Sequence, residues 1–171
     1  MDLQLRNKTA LVTGSDSRTG KVIADVLSAE GAQVIYHGNE EAPPMPMAVV
    51  GDITTEEGSA QVLKQVAALD CSVDILVNNY GTTDNHRWTD ADTATWLSLY
   101  QINTLSALRM ASGLVDSMKD SGWGRIVNLG TAGTFKPSAA RPAYYAAKSA
   151  LAVMGASLAQ ELAGTGITVN T

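Results

Sequence analysis

Ala10-Leu-Val-Thr-Gly-Ser-Asp-Ser-Arg-Thr-Gly-Lys-Val-Ile-Ala-Asp-Val-Leu27 decides how this chain folds. A short apolar run, Ala10 to Val12, meets a turn holding Gly14 and Gly20, and the turn opens directly into an amphipathic stretch, Lys21 to Glu30. Strand, glycine turn and helix in immediate succession make the first half of a βαβ unit. Glycines at such a junction let the backbone approach a pyrophosphate, whose charge the free amides and the positive helix end stabilise. Two glycines also suit an ordinary βα turn, so this stretch alone leaves both readings open.

Five more short apolar runs follow: Val34-Ile-Tyr36, Ala48-Val-Val50, Val73-Asp-Ile-Leu-Val77, Arg125-Ile-Val-Asn-Leu129 and Ile167-Thr-Val169. Short, β-branched runs without alternation are the pattern of strands buried on both faces, as in a parallel sheet covered by helices. The amphipathic stretches Thr55 to Leu69, Asp92 to Met118 and Pro142 to Ala163 are each long enough for a right-handed crossover back to the sheet. The expected fold is therefore α/β, a doubly wound parallel sheet in a single domain over residues 1–171. One gap breaks the rhythm: Gly38 to Met47 holds Pro43, Pro44 and Pro46 and reads as an extended loop.

Composition narrows the function. With 171 residues, 45% of them hydrophobic and 17% charged, the chain has a core and is not disordered. A formal net charge of -5 disfavours nucleic acid and anionic membranes as partners and favours a small molecule. Cys71 is the single cysteine, and no zinc-like spacing surrounds His37 or His86, so neither a disulfide nor a metal site is expected. The start, Met1 to Arg6, has no signal-peptide pattern, and no apolar run approaches the ~20 residues of a membrane span. A cytoplasmic location is expected.

Two further places carry chemistry. Tyr144 and Lys148 stand four residues apart in an alanine-rich stretch that begins just after a proline, so both project from one helix face. An ammonium beside a phenol favours the phenolate, which turns a tyrosine into a proton donor or acceptor nearer neutral pH. Tyr145 has Ser149 rather than a cation at the same spacing and reads as packing or substrate-facing. Asp52, closing the third strand, either accepts from an adenine amino group or serves as a helix cap before Thr54-Thr55-Glu56.

Together these residues resemble the short-chain dehydrogenase/reductase family, its 3-oxoacyl reductases in particular. The matches run the length of the chain in the family's order: the turn Thr13 to Gly20, the acid Asp52, Asn78-Asn79-Tyr80-Gly81 for Asn-Asn-Ala-Gly, Asn103, and Tyr144 with Lys148. The resemblance implies a Rossmann-like fold and an enzyme that moves hydride between NAD(P)(H) and a small-molecule carbonyl or alcohol. In it Tyr144 is the general acid/base. Lys148 assists that tyrosine and holds the nicotinamide ribose, and Asn103 anchors a water in the proton relay. Thr131 takes the place of the family's serine, 13 positions before the tyrosine. The implied cofactor contacts are Gly14, Ser15, Arg18, Thr19 and Gly20 in the turn, then Gly38 and Asn39 after the second strand. Asp52 and Ile53 lie near adenine, Asn79, Tyr80 and Gly81 along the adenosine, and Tyr144 and Lys148 at the nicotinamide end.

Departures from the pattern sharpen the reading. Arg18 replaces the turn's middle glycine, as in pteridine reductases, unless it is simply a solvated surface arginine. No acid ends the second strand, where Gly38 and Asn39 stand, so NADP is the expected cofactor, with NAD open should Glu40 swing inward. Tyr80 puts a ring where the family has alanine. His37 and His86 read as structural or surface residues, and Trp88, Trp96 and Trp123 as core or pocket lining. The match stops inside the apolar run at Ile167, where the family continues, so the chain reads as a C-terminally incomplete piece of a longer protein. The resemblance also implies a dimer or tetramer joined through the helices around Asp92 to Met118 and Pro142 to Ala163. The alternative to an enzyme is a non-catalytic dinucleotide-binding sensor of the same fold.

Overall fold

Six β-rich segments become strands: Thr9–Val12 (β1), Gln33–Gly38 (β2), Ala48–Val50 (β3), Ile75–Asn78 (β4), Gly124–Asn128 (β5) and Ile167–Asn170 (β6). In this computed structural model, which describes residues 3–171, they form one sheet in the order β3-β2-β1-β4-β5-β6. Every pairing is parallel. The chain winds outward from β1 to β3, returns to the middle at β4, and winds the other way to β6. Direction of winding reverses between β1 and β4, and in such sheets the crevice outside the strands' carboxyl ends at that reversal is where ligands bind.

The helices are Arg18–Ala29 (α1), Glu56–Ala67 (α2), Thr93–Tyr100 (α3), Ser106–Ser121 (α4) and Pro142–Glu161 (α5). Their ends follow local chemistry. Thr55 caps α2 by accepting from the Gly58 amide at 3.0 Å, ahead of Glu56 and Glu57, which suit the positive helix end. Asp92 caps α3 through the Thr95 amide at 2.8 Å, Pro142 opens α5, and Gly122, at φ 67°, stops α4. The stretch from Asp92 to Met118 is not one regular helix. Between α3 and α4 the residues Gln101–Leu105 wind as a π turn, which inserts a residue into the helical ladder. From Gly38 to Met47 there is no helix, as the prolines require.

The core lies in two layers. On one face Leu11, Ile35, Leu76 and Ile126 pack against Val62 and Val66 of α2 and Met110, Leu114 and Met118 of α4. On the other, Ala10, Val12, Val34 and Val77 pack under α1 through Ala24 and Leu27. Burial on both faces therefore holds for β1, β2 and β4 but not across the whole sheet. Val127 pairs in register with Val77 yet lies beyond the reach of α1 and is 38% exposed. Along β6, Ile167 and Val169 are buried while Thr168 and Asn170 face solvent. Trp123 sits at the foot of the sheet between two cations, with Lys8 Nζ 3.9 Å and Arg125 Cζ 4.3 Å from its ring centre. No helix among the described residues is long and apolar enough to cross a membrane.

Candidate active site

At the reversal of winding, side chains lock the exits of β1 and β4 together. The Thr13 hydroxyl accepts the amides of Asn79 and Tyr80, each at 3.0 Å, and the Asn79 amide group donates back to the carbonyls of Thr13 at 2.9 Å and Gly14 at 3.1 Å. From this anchor the turn departs with Gly14 at φ 61° and Arg18 at φ 51°. A Cβ on Gly20 would collide with the Gly14 carbonyl, so only glycine lets α1 start this close to β1. Ser17 makes no side-chain cap, and the first turn of α1 contains no acid. A helix end left uncapped over a hollow is an anion cradle, because its first amides point outward without partners.

That hollow, about 480 Å³, is lined by Gly14, Asp16 to Gly20, and Asn79 to Gly81. A second, of about 330 Å³, shares Arg18, Thr19, Asn79 and Gly81 with it and runs on to Asn103, Gly130, Tyr144 and Lys148. The two form one trough across the strand ends. Beyond Gly130 and Lys148 a third hollow of about 390 Å³ holds Thr131.

Lys148 is 4% exposed, and its ammonium donates to the Leu129 carbonyl at 2.8 Å. Burial pulls its pKa down from 10.5 to about 8. Asn103 lies in the π turn, where its Nδ2 donates to the Leu99 carbonyl at 3.0 Å and its Oδ1 accepts the Thr82 amide at 3.2 Å. A Cβ on Gly81 would come 2.7 Å from Asn103 Oδ1 and 3.5 Å from Lys148 Nζ, so glycine keeps open the space those two groups border. Thr104 fixes the π turn to α5 by donating to the Ala147 carbonyl at 2.8 Å. Tyr144 is half-buried on α5, its ring 5.7 Å from that of Tyr145. The Thr131 oxygen accepts the Gly133 amide at 3.3 Å, starting a short 3-10 turn, Ala132–Thr134.

The structure thus gathers Gly14, Arg18, Thr19, Gly20, Asn79, Tyr80, Gly81, Asn103, Tyr144 and Lys148 along one trough, with Thr131 beside it. Ser15 turns its hydroxyl away, donating to the Val12 carbonyl at 2.7 Å. Gly38, Asn39, Asp52 and Ile53 stand at the exits of β2 and β3, with the Ile53 side chain in the core. Asp52 does not cap α2. Its Oδ1 takes the Thr54 amide at 3.0 Å and hydroxyl at 2.7 Å, and these bonds, with one from Asn39, hold its carboxyl below the usual range against the opposing effect of burial. Trp88 and Trp96 line a separate apolar groove of about 510 Å³ together with Tyr145. Three contributors escape sequence reasoning: the Thr13 hydroxyl, the π turn and His37. Thr13 alone had a signal, as the polar residue ending an apolar strand.

A doubly wound parallel sheet with an uncapped glycine turn, joined by one trough to a buried lysine and a tyrosine a helical turn apart, is the architecture of a nucleotide-binding α/β protein. Residues 8–171 match the short chain dehydrogenase family. The 3-oxoacyl-[acyl-carrier-protein] reductase FabG of Haemophilus influenzae is 33% identical over 97% of this chain and 72% of its own length. The solved structure of L-sorbose reductase from Gluconobacter frateurii, complexed with NADPH and L-sorbose, superposes with a TM-score of 0.93. It is 30% identical, over 99% of this chain and 69% of that one. A 3-oxoacyl (acyl-carrier-protein) reductase from Agrobacterium tumefaciens with NADP bound gives 0.88 at 27% identity, over 95% and 67%. The chain belongs to the short-chain dehydrogenase family and is an oxidoreductase of that family.

Lys148 makes the site costly to fold. A drop from 10.5 to about 8 means that, at pH 7, the ammonium's burial opposes folding by about 3 kcal/mol. Between pH 8 and 10.5 the unfolded chain binds this proton more tightly than the native one, so wild-type stability climbs with pH across that window. Lys148→Met is expected to be more stable than wild type by about 1–3 kcal/mol at pH 7, the lost bond to Leu129 offsetting part of the gain. The advantage shrinks towards pH 10.5. Urea unfolding at pH 7 and pH 9.5 checks this, and a variant weaker than wild type at pH 7 would refute the assigned burial cost.

Proposed function

We propose that the chain reduces a carbonyl, or oxidises the corresponding alcohol, with NADP(H), using Tyr144 as general acid and base. One observation carries this reading: Tyr144, Lys148 and Asn103 open onto the same trough as the glycine turn and share four of its lining residues. The turn fits a dinucleotide, since α1 leaves its first amides uncapped and Gly20 closes a cradle that any side chain would fill. When bound, the nicotinamide group supplies or accepts the hydride.

The chain's own residues do the rest. The α1 amides and the Arg18 guanidinium hold the diphosphate. Tyr144 gives its phenolic proton to the carbonyl oxygen in reduction and takes one from the alcohol in oxidation. Lys148, one turn further along α5, keeps most of its charge at pH 7, since its pKa is about 8. The oxygen of Thr131 accepts from Gly133, so its own proton is left to orient the substrate oxygen. Asn103 Oδ1 uses one lone pair on the Thr82 amide and offers the other to a water that refills Tyr144 through the lysine. NADP is favoured because β2 ends without an acid at Gly38 and Asn39, while Arg18 lines both hollows. The NADP- and NADPH-bound structures of the relatives support the same choice. Relatives named as reductases and dehydrogenases favour turnover over a binding-only role.

Exposed Leu97, Tyr100 and Leu108 of the α3–α4 segment and Val153 of α5 form the face for a second copy, because α3 and α5 pack together. Sedimentation of the chain as a dimer or tetramer is expected, and a monomer at micromolar concentration refutes this face. Tyr144→Phe is expected to lower turnover of NADPH with a panel of ketones by at least about 100-fold while NADPH binding stays within about threefold. Wild-type turnover in that variant would remove the tyrosine from its role. Calorimetric titration is expected to give tighter binding for NADPH than for NADH, and the reverse order would overturn the choice of cofactor.

A further inference from the structure

His37, at the end of β2, is fully buried, and no step above uses it. Its Nδ1 accepts the Gly14 amide at 3.0 Å. With Nδ1 accepting, the ring proton stands on Nε2, which donates to the Gly51 carbonyl at 3.0 Å. The backbone tightens the same junction, since the His37 amide donates to Ser15 Oγ at 2.9 Å and the His37 carbonyl accepts the Ser15 amide at 2.9 Å. One imidazole therefore joins the glycine turn to the exit of β3, across the end of β2.

We propose that His37 is a positioning residue for the phosphate-binding turn, and that only its neutral form, protonated on Nε2, holds Gly14 where a dinucleotide can bind. The proposal rests on the reading of this chain as dinucleotide-dependent. A neutral imidazole accepts at one nitrogen and donates at the other, which is the pair of roles that Gly14 and Gly51 demand. A second proton, on Nδ1, would set donor against donor in a buried place and drive the Gly14 amide away. The turn has no slack to absorb that displacement. Asn79 holds the Gly14 carbonyl at 3.1 Å from the other side, and Gly20 packs directly against it.

The groups facing the ring pull in opposite senses. Asp16 from the turn and Asp52 from the exit of β3 favour the imidazolium, while the uncharged Tyr80 ring meets the imidazole edge-on at 6.2 Å. Burial outweighs both the bond to the Gly51 carbonyl and the carboxylates, and keeps the ring's pKa below its ordinary 6.5. The ring is thus neutral at pH 7, and affinity is full there. It falls as the pH descends through the buried ring's pKa, by at most about tenfold per pH unit for one proton.

The test is binding of ADP-ribose and of NADH to the full chain between pH 5 and pH 8, with circular dichroism recorded alongside. NADPH is avoided because a phosphate monoester itself titrates near pH ~6. Wild type is expected to bind evenly from pH 7 to 8 and to weaken on acidification in step with the ring's second protonation, by no more than about tenfold per pH unit, while its fold persists. His37→Asn, whose amide oxygen takes over the Gly14 bond without titrating, is expected to bind within about fivefold of wild type at pH 7 and to stay even down to pH 5. His86→Asn, changing the chain's other histidine, which is exposed and paired with Asp84, keeps the wild-type profile. Nitrogen-15 NMR of the wild-type ring, independent of any variant's folding, is expected to find the proton on Nε2 at pH 7. A proton on Nδ1 at pH 7, wild-type affinity that stays even while the same NMR shows the ring gaining its second proton, or weakening that coincides with loss of the folded signal would each overturn the role of His37 alone. No binding at any pH would instead overturn the dinucleotide reading, and the positioning role with it.

Discussion

The bonds between Thr13 and Asn79 are the constraint on which the site depends. A parallel sheet offers no hairpin to register two strands that are distant in sequence, and β1 and β4 are separated by α1, β2, β3 and α2. Ladder hydrogen bonds align the strands, but the chain leaves the ladder where the ligand must sit. There the Thr13 hydroxyl and the Asn79 side chain carry the alignment one step beyond the sheet. The glycine turn, the start of α1 and the strand-end glycine Gly81 all inherit their positions from that clasp.

The far half of the site is built on a different principle. Tyr144 and Lys148 come from one regular helix, so their spacing is fixed by helical geometry. Asn103 belongs to a helix that had to be broken to present it, and the π turn supplies that break. Thr104 then binds the broken helix to the regular one through the Ala147 carbonyl. A regular helix from Asp92 onward would have turned Asn103 to another bearing. Buried charge and interrupted ladder both oppose folding, and both border the trough proposed as the active site, as expected where function rather than stability has set the residue.

Much of this was legible in the sequence, for identifiable reasons. Strand runs and crossover stretches declare themselves because burial in a parallel sheet selects uninterrupted apolar residues, and the turn shows because only glycine tolerates its approach to β1. The Tyr144–Lys148 pair is visible because a helix converts a spacing of four into proximity. Other features depend on contacts that no local pattern encodes. Nothing near His37 announces that its ring will lie between Gly14 and Gly51, residues 23 and 14 positions away. Gln101–Leu105 has no proline or glycine to mark the π turn. The exposure of Val127 follows from the reach of α1, which a strand's own composition cannot report. Asp52 failed as a cap because Thr55 stands three residues nearer the helix and took the amide first.

The left-handed backbone of Arg18 has a thermodynamic consequence of its own. Glycine would adopt φ 51° freely, but it would also wander among many other conformations whenever the cradle was empty. An arginine at that angle carries about 1–2 kcal/mol of steric strain, yet it narrows the ensemble the loop must abandon on meeting an anion. Part of the entropy of capture is thereby settled during folding, so the turn receives its guest as a rigid mould rather than a flexible strap.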